Sequence, residues 1–440
     1  TLAEIGKRLG FESAFGFRNA RDVFVEYAAL SGINRDSPLQ LDISGLATLN
    51  DEHYETMAPL QWPVRADGPN DDSQRLFGDG QFSTPDRRAR FIAVTPEWPQ
   101  ESPQSADNAE TPFFLNTGRV RDHWHTMTRT AESERLNRHR AEPYVEIHPD
   151  DARADRVVNG DIVELKNRHG SVLLRARIEE GQRRGSLFVP MHWSDQFAAK
   201  ARIDALVTAH VDPHSGQPEL KHARVSLQRV HSEWQGLLLS TERLPLPRDS
   251  YWAGVPVAGG WAYWLAGAAP IQDAEQQLRA LVPGEESLQF IDAETHDRRH
   301  AWIEDDNTLR AVLILKLSTK ESAEKAGSET ADPKKDSSEL PEAWWLASRL
   351  GQNLSAIDRR VLLTGHPPGE QADQGAMICS CFQVSESRIC ATIAAGAGTA
   401  EQLGEKLRCG TNCGSCVPEL NRLIRAAKTV AVPEEIIRVG

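Results

Sequence analysis

Six cysteines fall between Cys379 and Cys416, and none occurs earlier in the chain. The spacing is Cys379-x-Cys381, a long interval, then Cys413-x-x-Cys416, with Cys390 and Cys409 in between. A secreted disulfide scaffold spreads its cysteines to staple distant loops. Confinement to one short segment points instead to a metal centre built from thiolates, which a reducing cytoplasm preserves. Two pairs of thiolates can ligate structural zinc or an iron–sulfur cluster. Zinc sites usually separate paired cysteines by two or more residues, so the Cys379-x-Cys381 pair favours iron and sulfide. Cys390 shares the apolar side of its segment with Ile389 and Ile393 and is expected to be a buried small hydrophobe. Cys409, four residues before Cys413, could reach the cluster but is expected to be a non-ligand.

The elements around the cysteines suit such a centre. SESRICATIAAG and TAEQLGEKLRCG each read as a helix ended by glycine, and PELNRLIRAAK starts a third with Pro418 in its first turn. Both cysteine pairs therefore lie on loops that lead into helices, where outward-pointing amides can hydrogen-bond anionic sulfur. The glycines of CGTNCGSC allow tight turns that expose further amides.

A second run with chemical potential is FFLNTGRVRDHWHTMTRT, a strand, a glycine-containing turn, and then Arg119, Arg121, His123, His125 and Arg129. Arginine and histidine supply charge-assisted donors, so the run reads either as an anion-binding loop or as a solvated basic loop. His192 and Lys221, taken singly, read as ordinary surface or capping residues.

The positioning elements follow from the patterning. Residues 1–64 mix helix and loop, with a helix expected over Ala20–Leu30, its apolar stripe on Val23, Phe24, Tyr27, Ala28 and Leu30, and a stop at Gly32. Residues 65–110 are rich in Pro, Gly, Asp, Asn and Ser and read as loop and linker, with one strand-like stretch at Ala89–Val94. From 111 to 231 short β-rich runs (FFLNTG, PYVEIHP, DIVELKN, GSVLLRARI, GSLFVPMHW) predict a small barrel, with a hairpin across Asn167–Gly170. Residues 232–318 predict a small α+β domain, with a helix in IQDAEQQLRALV and a hairpin turning at Glu304–Asn307. Residues 319–341 are polar and read as a disordered linker that lets the terminal domain swing; 342–376 read as a helical connector and 377–430 as the cysteine domain.

The chain has 440 residues, 50 basic and 63 acidic, and a net charge of −13. That surface repels nucleic acid and anionic membranes. No run approaches the length of a membrane span, and the opening lacks a basic-then-apolar leader pattern, so a cytoplasmic location is expected. The chain opens on Thr1 directly into an amphipathic segment, as the middle of a domain would, and it is expected to be the C-terminal portion of something longer.

ICSCFQV followed by LRCGTNCGSCVPEL resembles the bacterioferritin-associated-ferredoxin-like 2Fe–2S domain, which implies cluster ligation by Cys379, Cys381, Cys413 and Cys416. The ordered series TGR, HWHTMTR, YVEIHPDDA, NGDIVELKNRHG, GSLFVPMHW and DPHSGQPELK resembles the C-terminal cofactor-cap domain of the molybdopterin-guanine-dinucleotide oxidoreductases. This resemblance implies a double-psi β-barrel and cofactor contacts at Thr117, Gly118, Arg119, His123, Trp124, His125, Thr126, His192 and Lys221. Many members carry Asn where this chain has Asp204, which is left out of the site. The domain order, with LSGINRDSPLQLDISGLATL, PLQWPV, WQGLLLS, HAWIEDDNTLRAVLI and LLTGHPP, resembles the bacterial assimilatory nitrate reductases.

The resemblances imply a multidomain α+β chain: the end of a central molybdopterin oxidoreductase domain (1–64), a double-psi β-barrel cofactor-cap domain, a small α+β domain and a small helical 2Fe–2S domain. They also imply molybdenum bis(molybdopterin guanine dinucleotide), a 2Fe–2S cluster, and a 4Fe–4S cluster in a part not included here. The implied reaction is reduction of nitrate to nitrite with electrons from a ferredoxin or flavoprotein reductase. No cysteine precedes Cys379, so no molybdenum-ligating cysteine is in the chain, and the chain alone is expected to be inactive. Two alternatives stand beside this reading, a formate dehydrogenase-like oxidoreductase and a stand-alone electron-transfer or binding module. An NAD(P)H-dependent nitrite reductase would display GxGxxG fingerprints that the chain lacks.

Overall fold

A computed structural model describes residues 1–33, 41–68, 76–93, 95, 110–318, 340, 343–365 and 376–430. The chain divides into two compact units, Thr1–Glu97 and Trp98–Gly440.

In the first unit, helices span Leu2–Arg8, Ala20–Ser31 and Asp51–Glu55. Asn19 caps the second by accepting the Asp22 amide, and Gly32 follows its last turn. Its expected apolar stripe is largely open: Ala28 is buried, but Val23, Tyr27 and Leu30 are exposed. The strand expected at Ala89–Val94 does not form over Ala89–Ala93, where Phe91 projects fully into solvent; Val94 lies outside the described residues. A β-rich run needs a neighbour to satisfy its amides, and no strand pairs with it among the described residues.

The second unit begins with a closed barrel of β1 (Phe113–Gly118), β2 (Tyr144–Ile147), β3 (Ile162–Asn167), β4 (Gly170–Ile178), β5 (Ser186–Pro190) and β6 (Ala223–Arg229). The strand order is β1-β5-β2-β4-β3-β6, with β1–β5 and β2–β4 parallel. Alternation sets the inner face: Val172, Leu174, Ala176 and Ile178 of β4 point inward with Leu115, Val145, Leu165 and Leu187. The expected hairpin is present, with Asn167 paired to Gly170.

Next comes an antiparallel sheet of β7 (Trp234–Ser240), β8 (Tyr251–Val257), β9 (Gly260–Gly267), β10 (Leu288–Ile291), β11 (Arg298–Ile303) and β12 (Leu309–Leu317), ordered β10-β11-β12-β7-β9-β8. Its central strands are apolar on both faces because both are covered. Leu238, Leu313 and Leu315 pack under the helix Ile271–Leu281. Leu237, Leu239, Val312 and Ile314 pack against Leu346, Ala347, Leu350 and Leu362. The latter belong to the stretch read as a connector, which forms helices Ala343–Arg349 and Ala356–Val361 with Gly351 at positive φ between them. Residues 319–339 and 341 of the expected linker lie outside the described residues. That segment nevertheless joins β12 to a helix of the same core, so it does not tether the cysteine domain, and the expected swing about it gives way.

The cysteine domain pairs β13 (Met377–Cys379) with β14 (Val384–Ser385) and continues as helices Glu386–Ala394, Ala400–Leu407 and Val417–Val430. Ser385 and Thr399 cap the first two helices. Ile378, Ile389, Leu403, Leu420 and Ile424 form the core, each at most a few per cent exposed. No described helix is long and apolar enough to cross a membrane.

Candidate cofactor sites

The fold brings the two cysteine motifs together as crossing pairs. Cys381 Sγ lies 3.3 Å from Cys413 Sγ, and Cys416 stands beside Cys379. The Ser415 hydroxyl, 3.0 Å from Cys413 Sγ, and the Ser415 amide hold the Cys413 thiol below its ordinary range. Burial, with Cys379 beside it, pushes the Cys416 thiol up to about 12. Among the described residues no three Cys, His, Asp or Glu side chains converge on a single-ion site. Each motif places one thiol against a thiol of the other, and four cysteine thiolates are the donor set that holds a two-iron cluster. The residues therefore fit that cluster. Cys379 and Cys416 are buried, Cys381 is half-buried, and Cys413 is exposed, so the site has an inner and an outer edge.

The remaining two cysteines differ from each other. Cys409 is buried in the core, outside both pairs, with its thiol raised by burial and by nearby Cys379. Cys390 is exposed, which corrects the expectation of a buried hydrophobe. The neighbouring helices cover Ile389, and Cys390 lies one residue, about 100° of helical rotation, away from it.

In the barrel, the residues of the basic run separate into two layers. Arg119, Trp124, His125 and Thr126 are exposed on the loop after β1. The Arg119 guanidinium sits 4.6 Å over the Trp124 ring, whose centroid is 4.4 Å from that of His125. Beneath them His123 and His192 are buried. The Val120 amide donates to His192 Nε2 at 2.9 Å, and His192 Nδ1 faces the His125 carbonyl oxygen at 2.6 Å. His123 Nδ1 faces the Thr130 hydroxyl at 3.3 Å, and its Nε2 faces the Arg140 carbonyl at 3.4 Å. Burial lowers both histidines, His123 to about 4. Both rings are therefore neutral braces whose tautomers are set by backbone partners. Backbone at His125 (φ 45°) and Met127 (φ 61°) occupies the left-handed region, which costs non-glycine residues energy and here turns the loop outward.

Thr117 and Lys221 lock the strand end. The Thr117 hydroxyl donates to the Leu220 carbonyl at 2.7 Å, and the Lys221 ammonium donates to the Thr117 carbonyl. Gly118 is required by packing, because a Cβ there would stand 2.5 Å from the Phe188 ring. Asp204 is exposed on a short 3-10 turn. The buried indole N–H of Trp193, in edge contact with His123 and His192, has no hydrogen-bond partner among the described residues. The exposed cation, imidazole and hydroxyl above it, with this unspent donor below, fit an anionic, ring-bearing dinucleotide.

Arg121, read from sequence as part of the anion-binding cluster, is engaged elsewhere. Its guanidinium donates to Glu419 Oε2 at 2.8 Å and to the Ile378 carbonyl, both in the cysteine domain. Asp122 Oδ1 accepts the Ser380 hydroxyl at 2.9 Å and Asp122 Oδ2 meets His139 Nδ1. Burial pushes Asp122 and Glu419 up, but His139 and Arg121 outweigh it and hold both carboxyls down at about 2. Asp122, His139, Ser380 and Glu419 are missed by sequence reasoning, because single charged residues so far apart in the chain form no local pattern.

Residues 113–224 match the family model "Molydopterin dinucleotide binding domain", and residues 377–426 match "BFD-like 2Fe-2S binding domain". The chain is 35% identical to a nitrate reductase of Klebsiella oxytoca over 97% of its own length and 45% of that protein. It is 28% identical to the assimilatory nitrate reductase catalytic subunit of Bacillus subtilis over 51% of the chain and 30% of that protein. It is 27% identical to an F420-dependent formate dehydrogenase subunit alpha of Methanocaldococcus jannaschii over 52% and 30%, respectively. The chain thus spans less than half the length of these relatives. It carries a molybdopterin dinucleotide-binding domain and a BFD-like 2Fe-2S domain, within a sequence similar over nearly its whole length to the Klebsiella oxytoca nitrate reductase.

Proposed function

We propose that this chain is the cofactor-cap and electron-input part of a molybdenum nitrate reductase of the assimilatory kind. The observation that carries the reading is the pairing of each thiol of one cysteine motif with a thiol of the other, in a domain seated on the dinucleotide-binding barrel. The likeness to a nitrate reductase across 97% of the chain supports it. On this reading residues 1–64 complete a central oxidoreductase domain, 111–231 form a double-psi barrel over molybdenum bis(molybdopterin guanine dinucleotide), 232–318 form a supporting α+β domain, and 377–430 hold the 2Fe–2S cluster.

When bound, molybdenum and its dithiolene ligands supply oxygen-atom abstraction from nitrate, with the balance NO3− + 2H+ + 2e− giving NO2− + H2O. The chain's own residues bind and orient. Arg119, His125 and Thr126 present donors to the dinucleotide, Trp124 offers it a ring face, and Gly118, Thr117 and Lys221 fix the strand from which that loop springs. His123 and His192 hold the loop from below as neutral rings. Cys379, Cys381, Cys413 and Cys416 would hold the two irons of a cluster that would supply one-electron transfer from a ferredoxin or flavoprotein reductase.

The chain contains no cysteine before Cys379, so the molybdenum ligand and a 4Fe–4S cluster belong to a further part of the enzyme, and the chain alone does not reduce nitrate. A formate dehydrogenase-like reading draws on the methanogen relative. The test is to assay the whole enzyme containing this chain with reduced dye and nitrate, and with formate and an oxidised dye. Nitrate turnover with no formate oxidation is expected; formate oxidation without nitrate reduction overturns the proposal.

A further inference from the structure

We propose that Arg121, Asp122 and His139 of the barrel form a dock that seats the 2Fe–2S domain with its Cys379 edge against the loop that reaches the dinucleotide, so that electrons leave the cluster on the side of the molybdenum cofactor. This rests on the reading of the two domains as cofactor holders.

The contact is specific. Arg121 bridges Glu419 and the Ile378 carbonyl, which directly precedes the ligand Cys379. Asp122 accepts from Ser380, the residue between ligands Cys379 and Cys381. His139 stands between the two carboxylates, 3.5 Å from Glu419 Oε2 at Nε2 and against Asp122 at Nδ1. Arg140 adds a second cation 3.9 Å from Glu419 Oε1. The side chains of Arg121, Asp122, His139 and Glu419 are only 7–16% exposed. Charged groups are left this far from water only when paired, so each half of the network is built for the other.

The seat is also narrow. Beside it an open cleft of about 890 Å³ separates the two domains, lined by Arg140, Arg177 and Glu179 on the barrel side and Glu386, Arg422 and Arg425 on the other.

Position gives the dock its meaning. Arg121 and Asp122 lie in sequence between Arg119 and His123, inside the loop assigned to the dinucleotide. Cys379, whose neighbours Ile378 and Ser380 both touch this loop, is buried with Cys416, while Cys413 is exposed. An external donor, a reduced ferredoxin or flavoprotein, delivers at the Cys413 edge. When bound, the cluster would pass one electron at a time from that donor to the molybdenum cofactor, and two such transfers would supply the pair that nitrate reduction consumes. Arg121, Asp122 and Glu419 are positioning residues in this scheme.

The test uses the whole enzyme containing this chain with both cofactors in place. The cluster is reduced with dithionite, excess reductant is removed, and the sample is mixed with nitrate while cluster reoxidation is followed by visible absorbance. Arg121→Glu and Glu419→Lys, made on opposite sides of the seat, should each slow reoxidation at least tenfold. Dye-driven turnover should stay within twofold and the electron-spin signal of the reduced cluster should be unchanged. The double variant restores opposite charges across the seat and should recover to within threefold of the parent. If one variant fails to fold, the other decides. Unchanged reoxidation, or equal loss of reoxidation and dye turnover, overturns the dock. Absence of the cluster signal in the parent enzyme overturns the underlying cofactor reading instead, and the dock with it.

Discussion

His192 supports His125 from beneath, its Nδ1 2.6 Å from the His125 carbonyl oxygen while its Nε2 accepts the Val120 amide at 2.9 Å. One buried ring thereby closes both ends of the turn that carries Arg119 and Trp124 outward. Replacing it with an apolar ring, His192→Phe, strands a buried amide and a part-buried carbonyl. Such losses cost about 1–3 kcal/mol each. Thermal unfolding of the chain should register this as a lower midpoint, and an unchanged midpoint would remove His192 from the bracing role.

Acid should weaken the barrel in two separate steps. Burial lowers His123 to about 4, below the unfolded value of about 6.5. The unfolded chain therefore binds the proton more readily, and stability is complete above pH 6.5 and is lost as pH falls from there toward 4. The linkage amounts to about 3 kcal/mol over that window. Asp122 and Glu419, held at about 2, contribute above their unfolded values near 4 and lose that contribution only as pH falls from 4 toward 2. Denaturant midpoints measured at pH 7, 5 and 4 should decline, and His123→Gln should flatten the decline. A slope identical in the variant refutes the assignment.

Gly118 tests packing rather than backbone freedom. An added Cβ would approach the Phe188 ring to 2.5 Å, and overpacking of this kind costs about 1–3 kcal/mol. Gly118→Ala should lower the unfolding midpoint, and Gly118→Ala with Phe188→Leu should regain most of it. If the single variant is as stable as the parent, the ring moves freely and the close fit has no energetic weight.

The thiols should divide by position. After anaerobic reconstitution the chain should contain equal iron and acid-labile sulfide. Cys413→Ser should abolish the electron-spin signal of the reduced cluster, because it removes one member of a crossing pair. Cys390→Ser should leave iron content unchanged, since Cys390 is exposed and belongs to neither pair. Alkylation of the loaded protein should therefore mark Cys390 first. Iron loss in Cys390→Ser, or zinc held in place of iron by the parent, contradicts this arrangement.

Local chemistry made much of this protein legible from its residues in order. Alternating apolar residues specified β4, and the glycine-bounded runs specified the three helices around the cysteines, because period and turn residues act over a few positions. The Cys379-x-Cys381 and Cys413-x-x-Cys416 motifs likewise named their own thiols. Tertiary structure decided what the partners of those elements would be. It exposed Cys390 by placing the helix packing over Ile389. It left Ala89–Ala93 unpaired, and it joined both flanks of residues 319–341 to one sheet. It also diverted Arg121 from the anion loop to Glu419, a partner nearly three hundred residues away in the chain. Pairings of that kind depend on where two folded surfaces meet, and a single charged side chain carries no local signature of the opposite charge that will bury it.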